Sequence, residues 1–268
     1  MNILVLGDLV GLPGREALKK NLTKIIKDYQ VDFTVINGEN SADDGHGIPV
    51  SVAKEFFLLG VDVITSGNHI WDKEETTSYI EIENRLLRPA NLVNGSPGNG
   101  YGIFISKDKK FKIGVINLMG NVFMKKTDDV FKTAYEISKK IVLKKNVDFS
   151  IVDFHGETAS EKMAIGHFFD GKSTCVIGTH THVPTSDTRI LNKGTAYQTD
   201  IGMCGDYNSV IGFNKENSLK RFFKEKDAVK HFPADGEGTL SGVIVEADKD
   251  TGLAKKISRL IIGGSLVK

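Results

Sequence analysis

The first 70 residues alternate between strand-like and helix-like spacing, and that alternation narrows the fold more than any other feature. "ILVLGD" (3–8) is a short apolar run, and Ala17, Leu18, Leu22, Ile25, Ile26 and Tyr29 then recur at helical intervals, with Pro13 suited to the first helical turn. "FTVINGEN" (33–40) follows, then a helical stretch "SVAKEFFLLG" closed by Gly60, then "VDVITSGNH" (61–69). This is β-α-β-α-β, which implies parallel strands buried on both faces.

The middle of the chain departs from that pattern. "YGIFIS" and "FKIGVINLMG" flank "KDKK" and read as an antiparallel hairpin. A helix through Val130, Ala134, Ile137 and Ile141 follows, with Thr127 as its expected cap, then the strands "FSIVDFHGE" (149–157) and "TCVIGTHTH" around a short helix. "TAYQTDIG" and "SGVIVEADKDTGLAKKISRLII" read as further strands. The polar, Gly-rich stretch 206–238 reads as a long surface loop or lid. No Pro/Ser-rich linker interrupts the chain, so one domain over 1–268 is expected.

Composition excludes several classes. Net charge is +1, from 35 basic and 34 acidic residues, which supplies no field to draw in a polyanion, and no basic stripe with interleaved aromatics marks a nucleic-acid face. No apolar run approaches the ~18 residues that cross a bilayer. "MNILVLGD" enters a strand with no leader-like segment, and Cys175 and Cys204 form no close pair, so a reduced, cytoplasmic protein is expected.

Polar clusters recur where the apolar runs stop: Asp8, Glu39 with Asn40, Asn68 with His69, His155, and His180 with His182. Singly, each has a plain structural explanation, such as a turn Asp, a polar loop or a hydrogen-bonded core histidine. Together they lie at the same end of their strands, and parallel sheets bring those ends to one ligand-binding edge. Carboxylate, amide and imidazole donors without thiolate suit Mn, Fe or Zn in a catalytic rather than a Cys-rich structural site. The donors outnumber what one ion takes, which points to two ions sharing a carboxylate at about 3.5–4 Å separation.

"GDLVG", "NGEN", "GNHIWD", "FHGE" and "GTHTHVPT", in that order, resemble the calcineurin-like metallophosphoesterase superfamily, and most closely its bacterial YmdB-like subgroup of cyclic-nucleotide phosphodiesterases. "TAYQTDIGMCG" also looks like that subgroup, so the likeness spans nearly the whole chain. Val10 stands where the wider superfamily carries His, and Glu39-Asn40 where it carries Asp, replacements the subgroup shares. The resemblance implies an α/β fold, a two-sheet sandwich flanked by helices. It also implies one metal held by Asp8, Glu39, Asn40 and His182, and another by Glu39, Asn68, His155 and His180, with Glu39 bridging. His69 matches the proton donor, and a hydroxide between the metals is the expected nucleophile. The implied partner is a small phosphodiester, above all a 2′,3′-cyclic nucleotide. The subgroup includes homo-oligomers, and nothing in the sequence decides that state here.

Other readings are a phosphomonoesterase, an RNA-associated or regulatory binding protein with a vestigial site, and a different metallohydrolase. No expected ligand is missing, which speaks against vestigiality, and "HTHVPT" lacks the Asp and third His of a metallo-β-lactamase motif. "GHFFDGKS" (166–173) fits a phosphate-loop pattern, but a helix precedes it and a strand follows, the reverse of what that motif needs. His46 is expected to be a solvated loop residue, His167 structural on an apolar helix, and Cys204 a small packing residue near the cleft.

Overall fold

The structure, a computed structural model, describes residues 1–266. In chain order the elements are β1 (Asn2–Val10), α1 (Gly11–Asp28), β2 (Phe33–Asn40), α2 (Val50–Leu59), β3 (Val63–Thr65) and α3 (Glu74–Ile82). Next come β4 (Tyr101–Ile105), β5 (Lys112–Met119), α4 (Val130–Ser138), β6 (Phe149–His155), α5 (Ala159–Phe169) and β7 (Cys175–Thr179). The chain continues through β8 (Arg189–Ile190), β9 (Ala196–Gln198), β10 (Met203–Asp206), α6 (Lys215–Phe222), β11 (Gly238–Ala247) and β12 (Ala254–Ile262). They form two six-stranded sheets, ordered β12-β11-β10-β1-β2-β3 and β4-β5-β6-β7-β9-β8.

Three apolar layers hold the sheets and helices together. On β1, Ile3 and Val5 point into the layer between the sheets, where Phe33, Val35, Phe149, Ile151 and Ile177 meet them. Leu4 and Leu6 point the other way, against Leu18 and Leu22 of α1 and Phe56 of α2. The outer face of the second sheet packs Val152, Phe154 and Tyr197 against Ala134, Ile137, Ile165 and Phe169 of α4 and α5. The result is the expected helix–sheet–sheet–helix sandwich, with β1–β2–β3 parallel and β4–β5 an antiparallel hairpin.

Period-two alternation explains where the polar residues go. Phe33, Val35, Asn37 and Glu39 share one face of β2; Phe149, Ile151, Asp153 and His155 share one face of β6. In both strands the apolar half lies in the inter-sheet core, and the polar half forms its mouth at the C-terminal end. β1 reaches the same mouth through register shifts on either side of Asp8, the kind of bulge that re-aims a side chain.

Two local expectations need correction. Asp129, not Thr127, caps α4, its carboxylate accepting from Lys132 N–H at 2.9 Å, and Thr127 instead accepts from the Asn91 and Asn121 amides. The segment 206–238 is not simply a loop: it carries α6, capped by Asn214, and a Phe213–Pro233 bridge. Stretch 166–173 runs from helix into turn ahead of β7, so it is no phosphate loop. Among the described residues, no helix is long and apolar enough to cross a membrane.

Candidate metal centre

Candidate donors meet from both sheets, Glu39 on β2 with His155 on β6 and His180 just past β7. His155 Nε2 lies 2.9 Å from Glu39 Oε1, 3.2 Å from Asn68 Oδ1 and 3.0 Å from His180 Nδ1. Glu39, His155 and His180 offer ligand atoms all within 4.8 Å of one another, the one such set among the described residues. Asp8 adjoins them, accepting from His180 N–H at 3.0 Å and approaching His155 Nδ1 at 3.6 Å. Asp8, Glu39, Asn40, His155 and His182 are buried; Asn68 and His180 are half-buried.

Second partners decide which atom of each side chain faces inward. His155 Nδ1–H donates to Thr179 Oγ1 at 2.9 Å, and that hydroxyl donates to Asp153 at 2.8 Å, leaving Nε2 for the site. His180 is reversed: Nε2–H faces Glu157 at 3.2 Å and Nδ1 turns inward. His182 Nδ1–H donates to the Ile211 carbonyl at 2.7 Å, freeing Nε2. The Asn40 amide donates to Gly45 C=O at 2.8 Å, and its Oδ1 is buried with no partner, as is Asp8 Oδ1. Each such orphan costs roughly 1–3 kcal/mol unless a ligand satisfies it.

Electrostatics point the same way. Burial works against charge on His155, yet the Glu39 and Asp8 carboxylates outweigh it and hold its pKa up at about 9. Burial likewise opposes ionisation of Glu39, and His155 overrides it, bringing the carboxyl down to about 2. Asp8 is raised to about 6, chiefly by burial. His180 is pushed down to about 3 by burial and by its neighbour His155. A cluster that draws a proton onto His155 is one that favours positive charge.

The backbone is shaped for the same purpose. His180 (φ 98°) and His182 (φ 65°) both lie in the left-handed region, a conformation that costs non-glycine residues roughly 1–3 kcal/mol and gathers at functional sites. A Cβ on Gly67 would fall 2.2 Å from His155 Nε2 and 2.3 Å from Glu39 Oε2. Glycine alone leaves that space open.

His69 stands beside the cluster with its N–H donating to Glu39 Oε2 at 3.2 Å and Nδ1 held by Asp72 Oδ2 at 2.7 Å. His46 does lie on a loop bend but is half-buried, its ring edge-on to His69 at 4.9 Å and 5.5 Å from Phe213. His167 is exposed rather than on an apolar face. Cys204 is fully buried, its thiol raised to about 12 by burial, so it neither lines the cleft nor attacks anything.

Sequence reasoning passed over several contributors. Asp72 and Glu157 sit inside motifs already singled out, so their signal was present. Lys125 had none: it lies in a polar stretch, yet its Nζ donates to the Asn68 carbonyl at 2.6 Å and lies 3.9 Å from Asp72. Asp153 and Thr179 look like ordinary strand residues and become visible only as the support of His155.

Known proteins match closely. The family description "YmdB-like protein" fits residues 4–260. The chain is 43% identical over 262 residues to the 2′,3′-cyclic-nucleotide 2′-phosphodiesterase of Bacillus subtilis, covering 98% of this chain and 97% of that protein. A crystal structure of a novel phosphatase from Mycoplasma pneumoniae superposes with a TM-score of 0.89 at 36% identity, over 98% of this chain and 93% of that one. A hypothetical protein from Thermus thermophilus gives 0.88 at 34% identity, over 98% and 99%. With near-complete coverage in sequence and structure alike, the chain belongs to the YmdB-like family.

Proposed function

We propose that this protein is a metal-dependent phosphodiesterase acting on small phosphodiesters, with 2′,3′-cyclic nucleotides as its substrate class, and that the whole chain works as one domain. The observation that carries the reading is the meeting of Glu39, His155 and His180, with ligand atoms within 4.8 Å of one another beside Gly67, where no side chain fits, together with Asp8 adjoining them and unpartnered buried oxygens on Asp8 and Asn40. The Bacillus relative supports the substrate class.

The donor set fits a resident metal pair. Glu39, Asn68, His155 and His180 would hold one ion; Asp8, Glu39, Asn40 and His182 would hold the other, with Glu39 shared. Mixed oxygen and imidazole donors favour Fe or Mn, with Zn also accommodated. When bound, such ions supply Lewis acidity that acidifies water and offsets charge on phosphoryl oxygens.

The chain's own residues do the rest. His69 donates the proton that the departing alkoxide needs, and Asp72 fixes its ring by holding Nδ1, which leaves Nε2 to face the leaving oxygen. Lys125 sets a fixed positive charge beside Asn68, suited to a phosphodiester anion. Thr179, Glu157 and the Ile211 carbonyl keep the three imidazoles oriented.

Hydrolysis of 2′,3′-cyclic AMP in Mn²⁺, with Glu39→Gln as blank, tests this reading. Turnover abolished in the variant supports it. Turnover of phosphomonoesters alone would favour a phosphatase, as the Mycoplasma relative is described. Absence of any turnover would favour a binding protein.

A further inference from the structure

The segment "TDIG" belongs to a motif that the metal centre does not use, and its Asp200 is 1% exposed. Asp200 Oδ2 meets the Lys162 ammonium at 2.6 Å, and Lys162, on α5, is itself 2% exposed. The same oxygen accepts from Thr181 N–H at 3.1 Å and from Thr181 Oγ1–H at 2.7 Å, while Oδ1 accepts from Gly202 N–H at 2.8 Å. Thr181 is the residue between His180 and His182.

We infer that Lys162 and Asp200 form a positioning pair that clamps Thr181 and thereby fixes the His180 and His182 imidazoles in metal-binding geometry. This rests on the metal-centre reading above. Both histidines have left-handed backbones, which persist only where the surroundings over-determine them. The clamp is part of a larger strap: Ile201 N–H donates to Gly178 C=O at 3.0 Å, Met203 N–H to His182 C=O at 3.2 Å, and Thr185 N–H to Asp200 C=O at 2.9 Å. The lysine stem passes Gly178, where a Cβ would stand 2.9 Å from Lys162 Cδ and 1.8 Å from Thr199 O. Glycine there makes room for both the lysine and the strap.

A buried ion pair is a poor device for stability, because desolvation consumes most of its attraction, and an apolar pair of similar volume does as well or better. What it supplies is direction. The ammonium holds a carboxylate that would otherwise resist burial, and that carboxylate presents its acceptors to the one residue joining two ligands. Lys162 and Asp200 are buried against each other, and Asp200 bonds Thr181 rather than either imidazole.

Calorimetric titration of metal-free protein with Mn²⁺ tests the inference without assaying turnover. Thr181→Val removes one clamp bond and leaves the ion pair intact. It is expected to weaken Mn²⁺ binding about tenfold, with the melting temperature of the metal-free protein close to wild type, and Thr181→Ser is expected to restore the affinity. The paired replacement of Lys162→Met with Asp200→Asn, which leaves no orphan charge, is expected to weaken it by about 10–100-fold. Wild-type affinity in Thr181→Val and in the paired variant would overturn the clamp while sparing the metal centre. A wild-type protein that takes up no Mn²⁺ would overturn both.

Discussion

Gly67 and His69 bracket Asn68 and separate two demands on the site, space and proton supply. A methyl on Gly67 would collide with both His155 and Glu39, so Gly67→Ala is expected to fold, circular dichroism matching wild type, while metal analysis finds the bound metal lost. His69→Ala leaves every donor in place, and is expected to keep its metal and lose turnover by roughly 10²–10⁴-fold. Metal analysis beside steady-state rates reads both outcomes. A metal-depleted His69→Ala would make His69 a ligand. The polar cluster itself was legible in the sequence because chemistry-bearing residue types ended successive apolar runs. Which nitrogen each imidazole presents was not, since that depends on Thr179, Glu157 and the Ile211 carbonyl, partners brought in by the fold.

Among the elements, the turn after β7 carries most of the site's local strain and most of its bracing. Asp187 closes it, accepting from Thr199 N–H at 3.1 Å, from the hydroxyls of Thr185 and Thr199, and from Arg189 at 2.8 Å. Burial alone would raise its pKa, but these donors outweigh it and bring the group from an ordinary 3.8 down to about 2. A depressed folded-state value means stability that is present above about pH 4 and lost as pH falls toward 2. The gap in urea midpoint between wild type and Asp187→Asn is therefore expected to close across that window; a gap constant with pH would refute the assignment. Stretch 206–238 shows how composition misleads: polar residues and glycines suggested a loop, whereas Asn214 caps α6 and Ile211 reaches back to His182.

At the scale of the molecule, both sheets contribute to one inter-sheet core and to one polar mouth. Phe149 is fully buried in that core, with Phe111 edge-on at 5.4 Å, so Phe149→Ala is expected to lower unfolding free energy by about 3–5 kcal/mol in urea titration. A loss under 1 kcal/mol would mean that the sheets do not depend on this layer. The opening β-α-β-α-β pattern and the hairpin at β4–β5 were readable because local periodicity decides them. Sheet order was not, because β1 pairs with β10 and β11, nearly two hundred residues or more further along, and such pairings leave no local trace. The most direct test of the whole account is anomalous diffraction from crystals grown with Mn²⁺. Two peaks about 3.5–4 Å apart, flanking the Glu39 carboxylate, with His182 beside one and His155 and His180 beside the other, are the expected result. A single peak, or none among these side chains, would contradict a two-metal phosphodiesterase.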